Sequence, residues 1–426
     1  MTGFSVEPVG ADDRVLGFTD TFMIWFGAGV SIAEFWAGAL LTPGLDLRNA
    51  LLVILLGHLV GNLLLAFVAL AGWKTGLPTM VLSRKILGSR GSLLPSILNY
   101  IQLIGWTGIM IFVGAEAASK VTVALTGKQL FSIWVITLGA LVMIWALIGP
   151  LGWRLLSRIS GALLLFLSMW LLLYIVWIGG AGSTGTGRLG FWVALDLVVA
   201  MPVSWAPLAA DYGRFCKDAK ASFWGTFLGY FASSSLMYII GAVTNLKFGT
   251  PDPVELIALV GVGIPAFIII VLSTVTTTFM DVYSAAMSFK NVVERSDARK
   301  HIVLVTLLGI VLALVFPAER YEAFLLVIGG VFVPFSMLIT LDFLFEHERY
   351  EGLMILRGMA LINKDTLLVW MLGSIFYLLL SIKPMFGINV PVLGLVADEA
   401  GCSLPTLVLT AILYVVVILL RRRTRL

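Results

Sequence analysis

Apolar stretches of about twenty residues recur along the chain, and short polar segments separate them. A bilayer core of about 30 Å needs roughly 20 apolar residues in one helix, so each stretch predicts a membrane-spanning helix. We find twelve, centred near residues 30, 61, 105, 140, 169, 200, 235, 275, 309, 332, 374 and 412. Transmembrane strands would instead alternate apolar and polar residues over about ten positions. The pattern therefore predicts an all-α integral membrane protein.

Composition supports the same class. Of the 426 residues, 60% are hydrophobic and 12% are charged, and the mean hydropathy is +1.03. A soluble protein of this composition would lack the polar groups to cover its surface. The segments between the spans are too short for a soluble domain, and Cys216 and Cys402 have no metal-binding or redox spacing. The remaining classes are a transporter, a channel and an intramembrane enzyme.

The distribution of lysine and arginine predicts the orientation. With a cytoplasmic N-terminus, the inner segments hold 21 of the 28 basic residues and the outer segments hold 7. Because cytoplasmic loops carry an excess of Lys and Arg, we expect both termini to be cytoplasmic and the protein to lie in the cell membrane. The net charge of +4 then reflects topology and lipid contact, and we expect no nucleic-acid partner.

Two spans contain residues that weaken a helix. The first, "WFGAGVSIAEFWAG" (25–38), holds Gly27, Gly29 and Gly38 around Glu34. The sixth, "ALDLVVAMPVSWAPLAADYGRF" (194–215), holds Pro202 and Pro207, so we expect it to be kinked or unwound. Broken helices at matching places in two halves of a chain indicate the binding site of an inverted-repeat transporter, and these two match if each repeat has five helices. Glycine and proline are also commoner in membrane helices generally, and this alternative stays open.

The eighth span contains a cluster of polar side chains. In "LSTVTTTFMDVYSAAMSF" (272–289), five hydroxyl-bearing residues lie between 273 and 278, and Asp281 follows. Hydroxyls and exposed carbonyls together suit a small cation such as sodium, although serine and threonine also form hydrogen bonds within or between helices. A carboxylate at mid-bilayer costs about 2.5–3.5 kcal/mol and normally faces a cavity or a partner. Glu34 and Asp281 are therefore predicted to contact substrate or a proton; the alternative is structural pairing, for example with Lys74 or Arg214.

The third span places an aromatic ring next to an amide. In "NYIQLIGWTGIM" (99–110), Gln102 and Trp106 lie one turn apart on the same helix face. This pair suits a flat heterocycle, because the ring can stack and the amide can read its edge; stacking contributes about 1–3 kcal/mol per base in nucleic-acid sites. One tryptophan among 13 is more often a packing residue. Trp205, between the two prolines, is a second candidate.

Three further polar residues have less certain roles. His58 has no evident partner in the sequence, and we expect it to be a hydrogen-bonded core residue. Asp196 and Asp211, near the ends of the sixth span, stay ambiguous, although the position of Asp211 beside Arg214 favours a structural or gating role.

Several of these stretches resemble a known family. "GNLLLA" (61–66), "AGWKTGLPT" (71–79), "QLIGW" (102–106) and "ADYGRF" (210–215) are similar to the nucleobase–cation symporter-1 family of cytosine permeases and hydantoin and purine transporters. "SIAEFWAGALLTP" (31–43) and "MPVSWAPLAADYGRF" (201–215) resemble the CytX branch, whose members are described as transporters of hydroxymethylpyrimidine, the pyrimidine precursor of thiamine. The resemblance covers roughly residues 15–350, and the last two spans are generic.

The resemblance implies the LeuT-type fold, with broken helices 1 and 6. Its parts would be a cytoplasmic segment (1–17), two five-helix repeats (18–180 and 190–345), and two more helices with a basic cytoplasmic C-terminus (346–426). It also implies a sodium site between the first and eighth spans. The ligands would be the carbonyls of Gly27, Val30 and Ser273 and the hydroxyls of Thr276 and Thr277.

The resemblance also implies roles in substrate binding. Trp106 matches the ring-stacking tryptophan of the family, and Gln102 lies one residue from the amide position. Ser204 and Trp205 fall in the substrate-facing part of the sixth span. Cytosine permeases have an asparagine-rich stretch after the paired threonines of the eighth span. Here that stretch is 278–281 and ends in Asp281, so we do not expect cytosine to be read in the same way.

Together these features predict a secondary active transporter that imports hydroxymethylpyrimidine or a related aminopyrimidine by cation-coupled alternating access. Sodium is the expected coupling ion, with protons as the alternative; no enzyme cofactor is expected, and the protein is expected to function as a monomer. The predicted substrate-binding residues are Glu34, Gln102, Trp106, Ser204, Trp205 and Asp281. A carboxylate satisfies an exocyclic amine, which makes Glu34 the candidate for that contact.

Three alternatives stay open. Within transport, the alternative is a cytosine, purine or allantoin importer of the same family. An intramembrane enzyme is disfavoured because the sequence has no HExxH or GxSxG motif and no paired catalytic aspartates at plausible spacing. A channel is disfavoured because a polar filter repeated by oligomerisation would be expected instead of two broken helices.

Overall fold

The computed structural model describes residues 2–178, 185–249, 263–315 and 321–423, and the regular elements within these ranges are all helices. The α-helices are α1 (Phe18–Gly29), α2 (Ile32–Leu40), α3 (Leu47–Thr75), α4 (Thr79–Leu87), α5 (Leu93–Thr126), α6 (Phe131–Leu147), α7 (Gly149–Ile178), α8 (Phe191–Gly213), α9 (Ala219–Phe248), α10 (Gly263–Val292), α11 (Ala298–Val315), α12 (Tyr321–Glu346), α13 (Gly352–Arg357), α14 (Lys364–Leu380), α15 (Ile382–Phe386), α16 (Pro391–Ala400) and α17 (Ser403–Arg423). Short 3-10 helices occupy Thr2–Phe4, Ala11–Asp13 and His347–Arg349.

A helix lies at each of the predicted spans. Among the described residues, 9 helices are long and apolar enough to cross a membrane, and the bent pair α1–α2 brings the number to 10. The other two predicted spans correspond to α6 and α14, which have 17 residues each. The prediction of an all-α integral membrane protein is confirmed.

The packing of the spans follows the pattern of an inverted repeat. The first span, α1–α2, packs along the seventh, α9, and the second, α3, packs along the sixth, α8. The third, α5, packs along the ninth, α11, and the fourth, α6, packs along the eighth, α10. If each span is replaced by the span five positions away, the pair 1 and 7 becomes the pair 6 and 2. In the same way, the pair 3 and 9 becomes the pair 8 and 4. Two five-helix repeats produce this pattern, whereas the repeat boundaries at 18–180 and 190–345 stay predictions.

The first span is broken, as predicted. α1 ends at Gly29 and α2 begins at Ile32, and their axes differ in direction by 59°. The hydroxyl oxygen of Ser31 accepts a hydrogen bond from the backbone N–H of Glu34 at 3.4 Å and so caps the new helix. The glycines have a packing role, because a β-carbon on Gly29 or Gly38 would overlap α9.

The sixth span is one continuous helix, so the prediction that it is broken or unwound was wrong, whereas a kink at its prolines stays a prediction. α8 runs from Phe191 to Gly213 through Pro202 and Pro207 without interruption. The reason lies in its neighbour α3, whose Gly61 is so close to Pro202 that a β-carbon there would overlap the proline ring. Close packing with neighbouring helices lets a membrane helix tolerate proline. Of these two spans, the structure therefore shows a break only in the first.

Both ends of the described chain lie at the same end of the bundle. Arg357 forms an ion pair with Glu7 at 2.7 Å, and the backbone N–H of Asn363 donates to the carbonyl of Leu87 at 3.0 Å. Arg421 donates to the side chain of Asn363 at 2.5 Å, which connects the last helix to the same region. This arrangement agrees with termini on one side of the membrane. Arg320 and Arg425, which enter the predicted charge distribution, lie outside the described residues.

Candidate substrate and cation site

A cavity lies beside the break in the first span, between α2, α5, α8 and α10. It contains about 390 Å³ of space not filled by atoms, its open side included. All six predicted substrate residues line it: Glu34, Gln102, Trp106, Ser204, Trp205 and Asp281. The structure adds Ser31, Ala33, Leu103, Met110, Met201, Leu208 and Thr277.

Glu34 lies in the first turn of α2 and is 1% exposed. The hydroxyl of Tyr230, on α9, donates a hydrogen bond to its Oε1 at 2.7 Å, whereas Oε2 is buried without a partner among the described residues. The partner is therefore a neutral tyrosine, not Lys74 or Arg214. The N-terminal end of α2 stabilises negative charge through the helix dipole. Glu34 thus presents one free acceptor oxygen at the cavity wall.

Asp281 brings a second carboxyl group to the same cavity. It lies on α10 one turn after Thr277 and is 4% exposed. Within the described ranges, no residue donates a hydrogen bond to its carboxylate, and none of the described residues that line the cavity is basic. The wall therefore carries two carboxyl groups and no positively charged side chain from the described chain.

An aromatic cluster supports one side of the cavity. The ring of Trp205 lies 6.1 Å from that of Trp25 at 84° and 6.0 Å from that of Tyr230 at 58°. Such contacts fix the ring plane of Trp205. Trp106, on α5, is half-buried on the cavity wall. The two predicted stacking residues therefore border one space, and Tyr230 contacts both Glu34 and Trp205.

The remaining polar groups of the wall differ in what they offer a ligand. Gln102 uses its Nε2 to donate to Oδ1 of Asn99 at 2.7 Å, and its Oε1 is buried without a described partner. The hydroxyl of Ser204 donates to the carbonyl of Met201 at 2.6 Å, within its own helix. Ser204 therefore lines the cavity with its hydroxyl proton already used.

The predicted cation ligands meet where α10 crosses the end of α1. The hydroxyl oxygen of Thr276 lies 2.8 Å from the carbonyl oxygen of Leu272 in its own helix, 3.1 Å from that of Gly27 and 3.2 Å from that of Ser273. The hydroxyl of Thr277 donates to the carbonyls of Ala28 at 3.3 Å and Gly27 at 3.5 Å. Gly27 permits this approach, because a β-carbon there would lie only 3.2 Å from Cβ of Thr276. Four of the five predicted ligands therefore lie together.

The fifth predicted ligand is less well supported. The backbone N–H of Val30 donates to the carbonyl of Phe26, and no hydrogen bond joins Val30 to α10 within the described residues. The carbonyl of Ala28, which the sequence did not suggest, approaches α10 instead. The set consists of neutral carbonyl and hydroxyl oxygens, which suit a hard cation. Among the described residues, no cluster of three or more His, Cys, Asp or Glu side chains offers a different kind of metal site.

The less certain polar residues have structural roles. His58 contacts the carbonyl of Ile54 at 2.8 Å and the hydroxyl of Ser234 at 2.7 Å, as expected of a core residue. Asp211 accepts from the backbone N–H of Thr79 at 2.8 Å at the start of α4. Asp196 accepts from the backbone N–H groups of Cys402 and Leu404 at 3.1 and 2.5 Å at the start of α17. Both aspartates therefore cap a helix that belongs to another part of the chain.

Comparison with known proteins identifies relatives of the chain. A family described as "Permease for cytosine/purines, uracil, thiamine, allantoin" matches residues 8–397. The cytosine permease of Escherichia coli (strain K12) is 28% identical over 379 residues, which cover 87% of each chain. The hydantoin permease of Microbacterium maritypicum is 26% identical over 290 residues, which cover 62% of this chain and 58% of that protein.

A solved structure shares the fold. MHP1, a nucleobase-cation-symport-1 family transporter in a closed conformation with bromovinylhydantoin bound, matches with a TM-score of 0.82 at 20% identity. The match covers 99% of this chain and 96% of that one. It confirms the LeuT-type architecture that the sequence predicted.

Proposed function

Because the chain belongs to the family of permeases for cytosine, purines, uracil, thiamine and allantoin, we propose that it imports hydroxymethylpyrimidine or a closely related aminopyrimidine by cation-coupled alternating access. Family membership makes it a multi-pass membrane permease for a small nucleobase-type heterocycle, not an enzyme. Our proposal adds three points: the substrate is an aminopyrimidine, the coupling ion is sodium, and the named residues bind them.

The free Oε2 of Glu34 is the observation that carries the proposal. It is a buried acceptor at a cavity bordered by Trp106 and Trp205. A buried polar atom without a partner is costly, and an exocyclic amine would satisfy it. The two indole rings would stack on the pyrimidine ring, and Gln102 would contact its edge. This assignment supports an amino-substituted ring.

The position of the cation site supports coupling to substrate. The carbonyls of Gly27 and Ala28 lie in the last turn of α1, and Glu34 lies in the first turn of α2. One broken span therefore contributes to both sites. Thr277 contributes a hydroxyl to the cation set and also lines the cavity. A cation that holds α1 against α10 would therefore fix one wall of the cavity. By thermodynamic linkage, each ligand would then raise the affinity for the other.

Orientation and assembly belong to the same proposal. The excess of basic residues on one side favours a cell-membrane protein with both termini in the cytoplasm. A functional monomer is part of the same proposal.

The relation to cytosine permease favours a second candidate. Cytosine also carries an exocyclic amine next to a ring nitrogen, and the E. coli cytosine permease is 28% identical over 379 residues. A cytosine importer would keep the cavity and the cation site and change only the substrate. Purines and allantoin are further members of the same class.

Thermal stabilisation of the purified protein tests the proposal. A ligand that binds only the folded state raises the melting temperature by an amount that grows with its concentration relative to Kd. We expect hydroxymethylpyrimidine to stabilise the protein, and more so with sodium, whereas thiamine, cytosine, hypoxanthine and allantoin should stabilise it less. Stabilisation by cytosine or a purine alone would refute the proposed substrate.

A matched pair of variants makes this experiment specific. Glu34→Gln should abolish the shift caused by hydroxymethylpyrimidine. Glu116→Gln makes the same chemical change at a carboxylate that pairs with Lys120 at 3.1 Å, with 43% of its side chain exposed, and should keep the shift. An unchanged shift in Glu34→Gln would exclude the proposed contact.

A further inference from the structure

The orientation of Gln102 is fixed by a chain of hydrogen bonds behind the cavity. The hydroxyl of Ser288 donates to the carbonyl of Ser284 at 2.8 Å, so its oxygen is free to accept from Nδ2 of Asn99, also at 2.8 Å. Oδ1 of Asn99 therefore faces Gln102 and accepts from its Nε2 at 2.7 Å. Because a backbone carbonyl can only accept, the direction of the whole chain is set. Gln102, which lines the cavity, thus has an acceptor, Oε1, without a described partner, and one of the two N–H groups of its Nε2 is held by Asn99.

Glu34 is oriented in a similar way. Tyr230 is fully buried, and its hydroxyl occupies Oε1 of Glu34, which leaves Oε2 free. The ring of Tyr230 is held between Trp25 and Trp205, each with its centroid 6.0 Å away. Asp281 adds a carboxylate that accepts from none of the described residues. The atoms of Glu34 and Gln102 that are buried without a described partner, Oε2 and Oε1, are both oxygens.

Most hydroxyl donors on the wall are already used. The hydroxyl of Ser204 donates to the carbonyl of Met201, and that of Thr277 donates to the carbonyl of Ala28. Ser31 accepts from the backbone N–H of Glu34 and keeps a hydroxyl proton to donate. The wall therefore carries several oxygen atoms that lack a hydrogen-bond donor, and most of its hydroxyl protons are already used.

We infer that this cavity selects heterocycles whose polar edge consists of N–H donors and excludes those whose edge consists of carbonyl oxygens. The inference rests on the proposed function and narrows its substrate class. An amino-substituted edge would satisfy Glu34, Gln102 and Asp281. A dioxo edge would place oxygen against these acceptors and leave both sides unpaired. A site built to hydrogen-bond a ligand rejects an analogue that lacks the matching groups strongly.

Two probes of equal size test the inference. 2,4-Diaminopyrimidine and uracil share the pyrimidine ring, with amino groups at two positions in one and carbonyl oxygens at the same positions in the other. We would measure both Kd values by calorimetry on the purified full-length protein with saturating sodium. We expect diaminopyrimidine to bind at least about 100-fold more tightly. Equal binding, or tighter binding of uracil, would overturn the inference.

Isosteric amide variants show which side chains carry the preference. Glu34→Gln and Asp281→Asn each replace a carboxylate oxygen by a donor, and each should reduce the ratio of the two Kd values at least about tenfold. Glu116→Gln and Asp398→Asn are the controls, because their carboxylates pair with Lys120 and Lys383 away from the cavity, and should keep the wild-type ratio. If both cavity variants keep the wild-type ratio, the assignment to these carboxylates is wrong.

Failure of this inference is distinguishable from failure of the proposed function. If hydroxymethylpyrimidine binds and uracil binds as tightly as diaminopyrimidine, the proposed function stands. Only the inferred preference for N–H donors is then wrong. If hydroxymethylpyrimidine and both probes fail to bind wild-type protein, both are overturned. The ratio of the two Kd values in the wild-type protein tests the inference even if a variant does not fold.

Discussion

Replacing Thr276 by valine tests the cation site at one oxygen atom. Valine keeps the branched shape and replaces the hydroxyl by a methyl group; the hydroxyl oxygen lies 2.8 Å from the carbonyl oxygen of Leu272, 3.1 Å from that of Gly27 and 3.2 Å from that of Ser273. If sodium binds among these oxygens, the variant offers it one ligand fewer. The number of non-hydrogen atoms is unchanged, so we expect only small shifts of the helices.

The magnitude follows from the contact that is lost. An interaction with a charged group contributes about 1.5–3 kcal/mol, and about 1.4 kcal/mol corresponds to a factor of ten. We therefore expect the Kd for sodium to rise about 10- to 100-fold. Without sodium, the loss is that of an ordinary buried hydrogen bond, so the protein should lose only about 1 kcal/mol of stability.

The assay is a sodium titration of the melting temperature, with Thr278→Val as the control. The hydroxyl of Thr278 is fully buried and donates to the carbonyl of Thr274 at 2.6 Å in the same helix. Thr278→Val therefore makes the same chemical change two residues from Thr276 and leaves the proposed sodium ligands unchanged. If both variants respond to sodium like the wild type, sodium does not bind between α1 and α10 as proposed.

Three further predictions follow from the packing around the site. Gly27→Ala should weaken the response to sodium by about tenfold, because its β-carbon would lie 3.2 Å from Cβ of Thr276; an unchanged sodium midpoint would show that the close approach is unimportant. Tyr230→Phe should weaken binding of hydroxymethylpyrimidine about fivefold in calorimetry; an unchanged Kd would show that the hydrogen bond from Tyr230 to Glu34 does not matter for binding. Asp211→Ala should lower the free energy of unfolding by about 1 kcal/mol in chemical denaturation and leave Kd for substrate unchanged; a changed Kd would point to a gating role instead.

Much of the fold could be predicted because membrane spans are encoded locally. A span needs a sufficient run of apolar residues, and each such run became a helix. The break in the first span was also readable, because the glycines and Glu34 are costly in a continuous membrane helix. The same reasoning failed for Pro202, because its tolerance depends on Gly61 in a helix that the sequence does not show to be adjacent.

The candidate site was predictable where a residue stood out against its own helix. Glu34, Gln102 and Asp281 are polar outliers in apolar spans, and all three line the cavity. Tyr230 could not be found in this way, since its contact with Glu34 joins residues 196 positions apart. The apolar lining residue Met110 resembles many other apolar residues and became recognisable only in the folded chain.

The roles of Asp196 and Asp211 were hidden for the same reason. Asp196 caps a helix through residues up to 208 positions away, and Asp211 does so across 132 positions. A carboxylate near the end of a span can serve a substrate, a gate or a helix terminus, and only the three-dimensional neighbours distinguish these roles.

Uptake of labelled hydroxymethylpyrimidine into liposomes that contain the purified protein is the most direct test of cation-coupled aminopyrimidine transport. We predict saturable accumulation driven by an inward sodium gradient, little accumulation without the gradient, and loss of accumulation in both Glu34→Gln and Thr276→Val. Accumulation that a proton gradient drives equally well without sodium, or that both variants retain, would contradict the proposed coupling and the proposed site.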